Sequence, residues 1–287
     1  MGDISGFINI NKPTGMSSAA AVSKVKRATG MPCGHMGTLD PMASGVLPVA
    51  VGNASRLFNY LIDKEKIYRA EFTFGAETDT LDGTGTVLRG GLRVPSEGEI
   101  VSVLGEFVGN IEQVPPQYSA KSVNGVRAYQ LARRGEYMEL QSKTVRVVAF
   151  ELVQRKAPNA FEFLIRCGGG TYIRALARDL ASRLDTAAYM SALVREKSGF
   201  FTLENSIDLQ ELGNWRQYLI APDSVFELPA LDFDGGDARK LRNGLGLPFD
   251  GKDGEYKLYL DDDFYGIAQA KDGNIRAKVK LCANSAF

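Results

Sequence analysis

The sequence predicts an α+β protein with a small β-domain at its C-terminal end, on three observations. Some runs alternate apolar and polar residues with the period of two that marks a half-buried strand, most clearly Tyr68-Arg69-Ala70-Glu71-Phe72-Thr73-Phe74. Others carry helix-start residues ahead of helical spacing, as in the capping box Ser96-Glu97-Gly98-Glu99 before Ile100, Val103, Leu104 and Phe107. Around Pro222 to Pro229 the composition shifts, and the tail holds short strand candidates, Tyr256 to Leu260 and Tyr265 to Ala268, between Gly/Asp turns.

The elements follow in order. Phe7-Ile8-Asn9-Ile10 predicts a short strand ending in the turn Asn11-Lys12-Pro13-Thr14-Gly15. Ser17 or Ser18 caps a helix over 19–28, with Ala21, Val22 and Val25 on one face and Gly30 at the C′ position. Asn53 or Ser55 caps a short helix through Leu57, Phe58, Tyr60 and Leu61. The strand over 68–74 is expected to pair with Thr86-Val87-Leu88-Arg89 beyond an Asp/Gly turn. Val114-Pro115-Pro116-Gln117-Tyr118 breaks the pattern and opens a flap in which 127–134 reads as a short helix. Two strands are predicted over 144–154 and 161–167. Gly168-Gly169-Gly170-Thr171 then makes a tight turn into a helix over 172–180; it lacks the Lys-Ser/Thr pair of a phosphate-binding Walker loop. A further strand runs from Leu193 to Phe201, and a short helix over 207–212.

Composition bounds the function. The 287 residues are 44% hydrophobic and 24% charged, enough for a good core or for two domains. The first residues lack a basic and an apolar targeting region, and no later apolar run approaches a bilayer span, so a soluble, cytoplasmic protein is expected. Cys33, Cys167 and Cys282 are odd in number and far apart, which leaves no disulfide framework or zinc knuckle. With a single histidine, no transition-metal site is expected, and Thr78-Asp79-Thr80-Leu81-Asp82-Gly83-Thr84-Gly85 reads as a turn between strands rather than a Mg²⁺ site. No exposed apolar stripe asks for a partner, so the expected state is a monomer. Net charge is zero, but 117–146 carries six Lys/Arg against two Glu, a local basic stretch, and the tail from Asp223 carries 9 basic against 12 acidic residues.

One run concentrates the chemistry: Gly34-His35-Met36-Gly37-Thr38-Leu39-Asp40-Pro41-Met42-Ala43-Ser44-Gly45-Val46-Leu47-Pro48. It holds the only histidine, three glycines, two prolines and one carboxylate, and it predicts a shaped loop rather than a helix or central strand. Pro41 biases Asp40 towards an extended backbone that presents the carboxylate outward. The apolar run from Gly45 to Gly52 behind it is expected to be buried.

Together with Asn11-Lys12-Pro13-x-Gly15-x-Ser17-Ser18, this run and its continuation to Leu57 resemble the signature of the bacterial tRNA pseudouridine-55 synthases, the TruB family of pseudouridine synthases. Lys66-x-Tyr68 with Thr78-Asp79-Thr80-x-Asp82, Pro115-Pro116-x-Tyr118-Ser119-Ala120 and Gly170-Thr171-Tyr172-Ile173-Arg174 follow in the family's order, over about residues 9 to 200. The tail is similar to the small RNA-binding domain called PUA. The resemblance implies a mixed, mainly antiparallel pseudouridine-synthase sheet flanked by helices in residues 1–222, with an RNA-binding flap at 117–146, and a PUA-like domain in 223–287. It implies an isomerase that turns uridine-55 in the T-arm of tRNA into pseudouridine, with tRNA as partner and no metal or cofactor. By the same resemblance Asp40 is the catalytic aspartate and Arg174 its partner. Tyr68 stacks on the target base, Tyr172 and Leu193 line the uridine pocket, His35 pushes into the T-loop, and Lys12 stands near the site. Val194 departs from the family's Leu-Arg-Arg, and the acidic tail departs from the basic face expected of an RNA-binding domain.

Those residue types suit the reaction. Cleaving a glycosidic bond and rejoining the base through carbon calls for an ionised carboxylate, which can act as nucleophile on ring or sugar, or as base at C2′; sequence leaves these routes open. A cation such as Arg174 keeps it charged in a dry pocket. A base taken out of a folded RNA arm needs its stacking replaced, and Tyr68 offers a ring.

Overall fold

The computed structural model describes residues 4–119, 122–123, 126–127, 131–132, 134–136 and 138–281. Strands β1 (Gly6–Lys12), β2 (Cys33–His35), β3 (Ser44–Val51), β4 (Lys66–Phe74), β7 (Gly109–Gln113), β10 (Lys143–Ala157), β11 (Ala160–Cys167), β12 (Ala188–Ser198) and β13 (Phe201–Thr202) form one nine-stranded sheet. Its order is β1-β3-β12-β4-β11-β10-β7, with β2 on β3 and β13 on β12. Every pairing is antiparallel except β3 with β12, which meet in parallel where Val194 faces Ser44 and Arg195 faces Gly45. Two small hairpins stand apart, β5 (Glu77–Thr78) with β6 (Val87–Arg89) and β8 (Ser122–Val123) with β9 (Val126–Arg127). The sheet is thus mixed and mainly antiparallel, as the sequence resemblance implies.

Helices α1 (Ser18–Thr29), α3 (Glu97–Leu104) and α4 (Ile173–Arg183) bury their apolar stripes on the sheet, while the short α2 (Phe58–Leu61) follows β3 through a 3₁₀ turn. Ser17 caps α1 by accepting from Ala20, and Gly30 closes it in the left-handed region at φ 70°. Ser96 and Glu99 form the expected capping box of α3. Val25, Ile100 and Leu180 belong to the same hydrophobic core as the strand residues Phe72 and Phe163, whose ring centroids lie 4.8 Å apart. The C-terminal unit is a five-stranded sheet in the order β14-β16-β17-β18-β15, made of β14 (Ala230–Phe233), β15 (Leu247–Pro248), β16 (Gly254–Leu260), β17 (Asp263–Lys271) and β18 (Asn274–Lys280). Helix α5 (Gly235–Arg242) covers it through Ala238 and Leu241.

Three local expectations are corrected. The run 34–48 is loop only in its middle, because its ends belong to β2 and β3. Pro48 is tolerated inside the sheet because its carbonyl accepts from Met36 at 2.8 Å; its missing N–H points to that same side, just past the end of β2, and costs no bond to β1. The partners of β4 are β11 and β12, not Thr86–Arg89. Gly75, at φ 89°, ends β4, and the Asp/Gly turn closes the separate β5–β6 hairpin instead. Of the helix expected over 127–134, Leu131 and Ala132 are helical, whereas Arg127 pairs in β9. Lys121, Tyr129 and Arg133 lie outside the described residues, as does Cys282.

Candidate active site

Asp40 sits on the β2–β3 loop, which is held from three sides by bonds to its own backbone. Ser18, at the start of α1, donates from its hydroxyl to the Leu39 carbonyl (2.8 Å) and accepts from the Leu39 amide (2.9 Å). Arg195 of β12, 1% exposed, donates to the carbonyls of Val46 (2.8 Å), Gly37 (3.0 Å) and Thr38 (3.4 Å). The fully buried Lys12 ammonium donates to the carbonyls of Met16, Pro13 and Pro41 at 2.6, 2.9 and 3.3 Å. Burial lowers its pKa to about 8, against the pull of Asp40, which raises it. The result is a loop of glycines and prolines made rigid by side chains on three other elements.

The carboxylate of Asp40 is about one-third exposed (31%) and is gripped by Arg174, the second residue of α4. Nε lies 2.8 Å from Oδ2 and Nη2 lies 3.1 Å from Oδ1, a two-pronged pair of the kind only a guanidinium makes. The same guanidinium donates to the carbonyls of Thr80 and Tyr118, both at 2.9 Å, and lies 3.6 Å from Asp82. Asp82 is itself spent on its turn, accepting from the Thr80 hydroxyl and from the amide and hydroxyl of Thr84. Arg174 therefore joins three segments that the sequence keeps far apart.

A cavity of about 240 Å³ opens beside this pair. That is below the ~300–1,000 Å³ of pockets that engulf drug-sized ligands, so it suits one ring and its substituents. Tyr68 lines it from β4, Leu193 and Met190 from β12, and Tyr172 and Arg174 from the start of α4. The register explains the gathering: Tyr68 is the direct partner of Arg195 across β4 and β12. Burial pushes the phenols of Tyr68 and Tyr172 above their ordinary pKa, which keeps both neutral. Lys66 also lines the cavity; its ammonium donates to the carbonyls of Ile62 (2.6 Å) and Lys64 (2.8 Å), and burial lowers its pKa to about 8.

Of the residues singled out by sequence, the structure brings Asp40, Tyr68, Tyr172, Arg174 and Leu193 around one cavity. His35 is half-buried at the end of β2 and stands outside the lining, next to the loop that carries Asp40. Lys12 does not face the cavity either, because its ammonium is turned onto backbone carbonyls. The triple-glycine run is the expected tight turn: Gly170 has φ 79°, and a Cβ on Gly169 would stand 2.4 Å from the Ile62 carbonyl. Sequence reading missed Arg195, Ser18 and Gln113. The Gln113 amide fixes the N-terminus of α4, accepting from the Tyr172 amide (2.8 Å) and donating to its carbonyl (3.1 Å).

Comparison with known proteins identifies the family and the fold. The sequence profile of the TruB family pseudouridylate synthase (N terminal domain) matches residues 25–173, half of the chain. The tRNA pseudouridine synthase B of Caldanaerobacter subterraneus subsp. tengcongensis is 37% identical over 281 residues, covering 96% of this chain and 98% of that protein. Its namesake from Acaryochloris marina is 38% identical over 287 residues, covering 97% and 99%. Among solved structures, a chain of "Crystal Structure of a Cbf5-Nop10-Gar1 Complex" superposes with a TM-score of 0.73 at 25% identity, covering 96% of this chain and 84% of that one. Identity of this degree over nearly the whole length, on a matching fold, means that the chain belongs to the TruB family of pseudouridine synthases and is an isomerase.

Proposed function

We propose that the protein isomerises uridine-55 in the T-arm of tRNA to pseudouridine, with Asp40 as the catalytic group. The observation that carries this is the two-pronged Arg174–Asp40 pair on the wall of a ring-sized cavity lined by Tyr68. In the reaction the C1′–N1 bond breaks, its electron pair leaving with the uracil. The ring turns, C5 bonds to C1′, the C5 proton departs and N1 gains one. Atoms and electrons balance within the nucleotide, so the proposal assigns no metal or cofactor. Asp40 reacts with the ring or sugar, or takes a proton at C2′, while Arg174 holds it charged and aimed.

The target uridine is flipped out of the RNA into the cavity, with Tyr68 replacing its stacking and Leu193 and Tyr172 closing on its faces. His35, beside the loop and outside the cavity, occupies the space left in the T-loop. Residues 1–222 act as the catalytic domain, the basic flap at 117–146 holds the RNA backbone, and 223–287 form a PUA-like domain whose acidic balance limits its share of binding. The enzyme works as a cytoplasmic monomer; no helix among the described residues is long and apolar enough to cross a membrane.

The test is tritium release from a T-arm transcript carrying 5-tritiated uridine. The parent protein is expected to release tritium and Asp40→Asn to release none while still binding the RNA. Binding without release by the parent would make it an RNA-folding module, and free uracil in place of modified RNA would make it a glycosidase.

A further inference from the structure

The three glycines that lead into α4 have no side chains to steer it. Gly170 stands at φ 79°, and the helix starts without a side-chain cap at Tyr172 and without an acidic residue in its first turn. The nearest tie is the Gly168 amide, which donates to the Arg146 carbonyl at 2.8 Å, four residues before Tyr172. Yet Arg174 has to meet both carboxylate oxygens of Asp40 with two nitrogens, a fit that a small swing of the helix start would lose. The entry into α4 therefore has to be fixed from outside the helix.

Gln113, the last residue of β7 and 1% exposed, does this. Its amide spends both its atoms on one residue, accepting from the Tyr172 amide at 2.8 Å and donating to the Tyr172 carbonyl at 3.1 Å. That carbonyl also accepts the first bonds of the helix, from Ala175 (3.1 Å) and Leu176 (3.2 Å), so the grip falls where α4 begins. Holding both backbone groups of a residue sets its direction much as a neighbouring strand would. Beyond Gln113 the chain runs on as a stiff strut, because Pro115 and Pro116 each lock their φ. The strut is bonded to α4 twice more, its Val114 carbonyl accepting from Arg178 and its Tyr118 carbonyl from Arg174, both at 2.9 Å. Arg174 and Arg178 are four residues apart and share a face of the helix. Residues 113–118 and the first two turns of α4 thus form one block, joined to the main sheet through the pairing of β7 with β10.

We propose that Gln113 is a positioning residue for the reaction: through the backbone of Tyr172 and the strut that it starts, it holds the Arg174 guanidinium where it can fork onto Asp40. This rests on the isomerase reading above. It gives a reason for burying a neutral amide at this place, since the grip on Tyr172 needs one donor and one acceptor side by side. A glutamate of the same shape has no donor once ionised, and a methionine has none at all.

Single-turnover tritium release by Gln113→Met at saturating T-arm RNA is expected to be at least about tenfold slower than by the parent, with the half-saturating RNA concentration within a few-fold. The deciding measurement is a double-mutant cycle with Arg174→Lys. Because Gln113 acts through the fork, Gln113→Met should add less than about twofold once the fork is gone, whereas independent losses multiply. Gln113→Glu, which keeps the acceptor for the Tyr172 amide, is run through the same cycle and carries the test if Gln113→Met melts below the assay temperature. The proposal is overturned if Gln113→Met, or Gln113→Glu in its place, keeps the parent rate, or if the losses multiply. It is equally overturned if neither variant folds, which would make Gln113 a residue of the fold alone. Failure of the parent to release tritium would instead sink the isomerase reading, and the role of Gln113 with it.

Discussion

At the scale of single residues, Arg174 decides the site. Its five N–H donors sit in a rigid plane, and the structure uses that plane on Asp40 from two atoms, on the Thr80 and Tyr118 carbonyls, and near Asp82. A lysine there would keep the charge but lose the fork, freeing Asp40 to rotate and leaving a buried carbonyl bare. Arg174→Lys is expected to slow single-turnover tritium release at least about a hundredfold, the usual result of misplacing a reacting group by an ångström. Affinity for T-arm RNA should stay within a few-fold by filter binding; a rate within a few-fold of the parent would show that the fork does not matter. The legibility of these residues follows from how they act. Asp40, Tyr68 and Arg174 present their side chains to the cavity and stand within dense motifs, so the sequence resemblance singles them out. Arg195, Ser18 and Gln113 act on backbone carbonyls and amides of distant segments, and even where the residue stands in or beside a motif, as Ser18 and Arg195 do, the chain does not show which backbone groups it reaches.

At the scale of elements, the crossing of β3 and β12 holds the loop against the cavity. These are the sheet's parallel neighbours among the described residues, and they approach closely at Gly45 opposite Arg195. Gly45 has φ 100°, and a Cβ there would stand 2.3 Å from the Arg195 carbonyl. Gly45→Ala must open the crossing and tilt Arg195 away from the carbonyls of Gly37 and Thr38. It should cost roughly 2–4 kcal/mol, seen as a fall in melting temperature of roughly 5–10 °C, together with slower tritium release. Unchanged melting would mean that the crossing yields without strain. Elements with strong local signals were readable: β4 by alternation, β10 and β11 as strand-like runs, α1 and α3 by their caps. The burial of β3 was readable from its apolar run, but its strand character was hidden by Gly45 and Pro48, which are allowed there by a close crossing and by the nearby end of β2. The partners of β4 come from segments roughly ninety and more residues on, a pairing that local pattern cannot contain.

At the scale of the whole molecule, the two sheets are joined into one body. The aromatic and aliphatic side chains of Phe7, Val46 and Phe201 continue into Val225, Phe226, Ile267 and Leu281. Tyr60 donates to Glu255 at 2.9 Å, and Arg56 to the Lys280 carbonyl at 2.7 Å. The zero net charge of the chain conceals an uneven interior. Lys12, Lys66, Arg174 and Arg195 are all buried, against Asp82 and Glu162 among the buried carboxylates of the described residues. The cost of that interior is readable as a pH dependence. Burial lowers the pKa of Lys12 and of Lys66 to about 8 in the folded protein, whereas an exposed lysine in the unfolded chain titrates at 10.5. Between these values the unfolded chain binds more protons, so each lysine's contribution to stability rises with pH, by up to about 1.4 kcal/mol per pH unit. Below pH 8 both states are protonated and the burial cost is fully present. Burial raises the pKa of Cys33, and that of Cys167 to about 11, which works in the opposite sense from about pH 9 upward, so the lysine effect is best isolated as a difference between two proteins. Urea denaturation midpoints of the parent and of Lys66→Met, measured from pH 7 to 9.5, should diverge, with the parent gaining on the variant above pH 8. Parallel curves would show that Lys66 keeps its ordinary pKa in the folded protein.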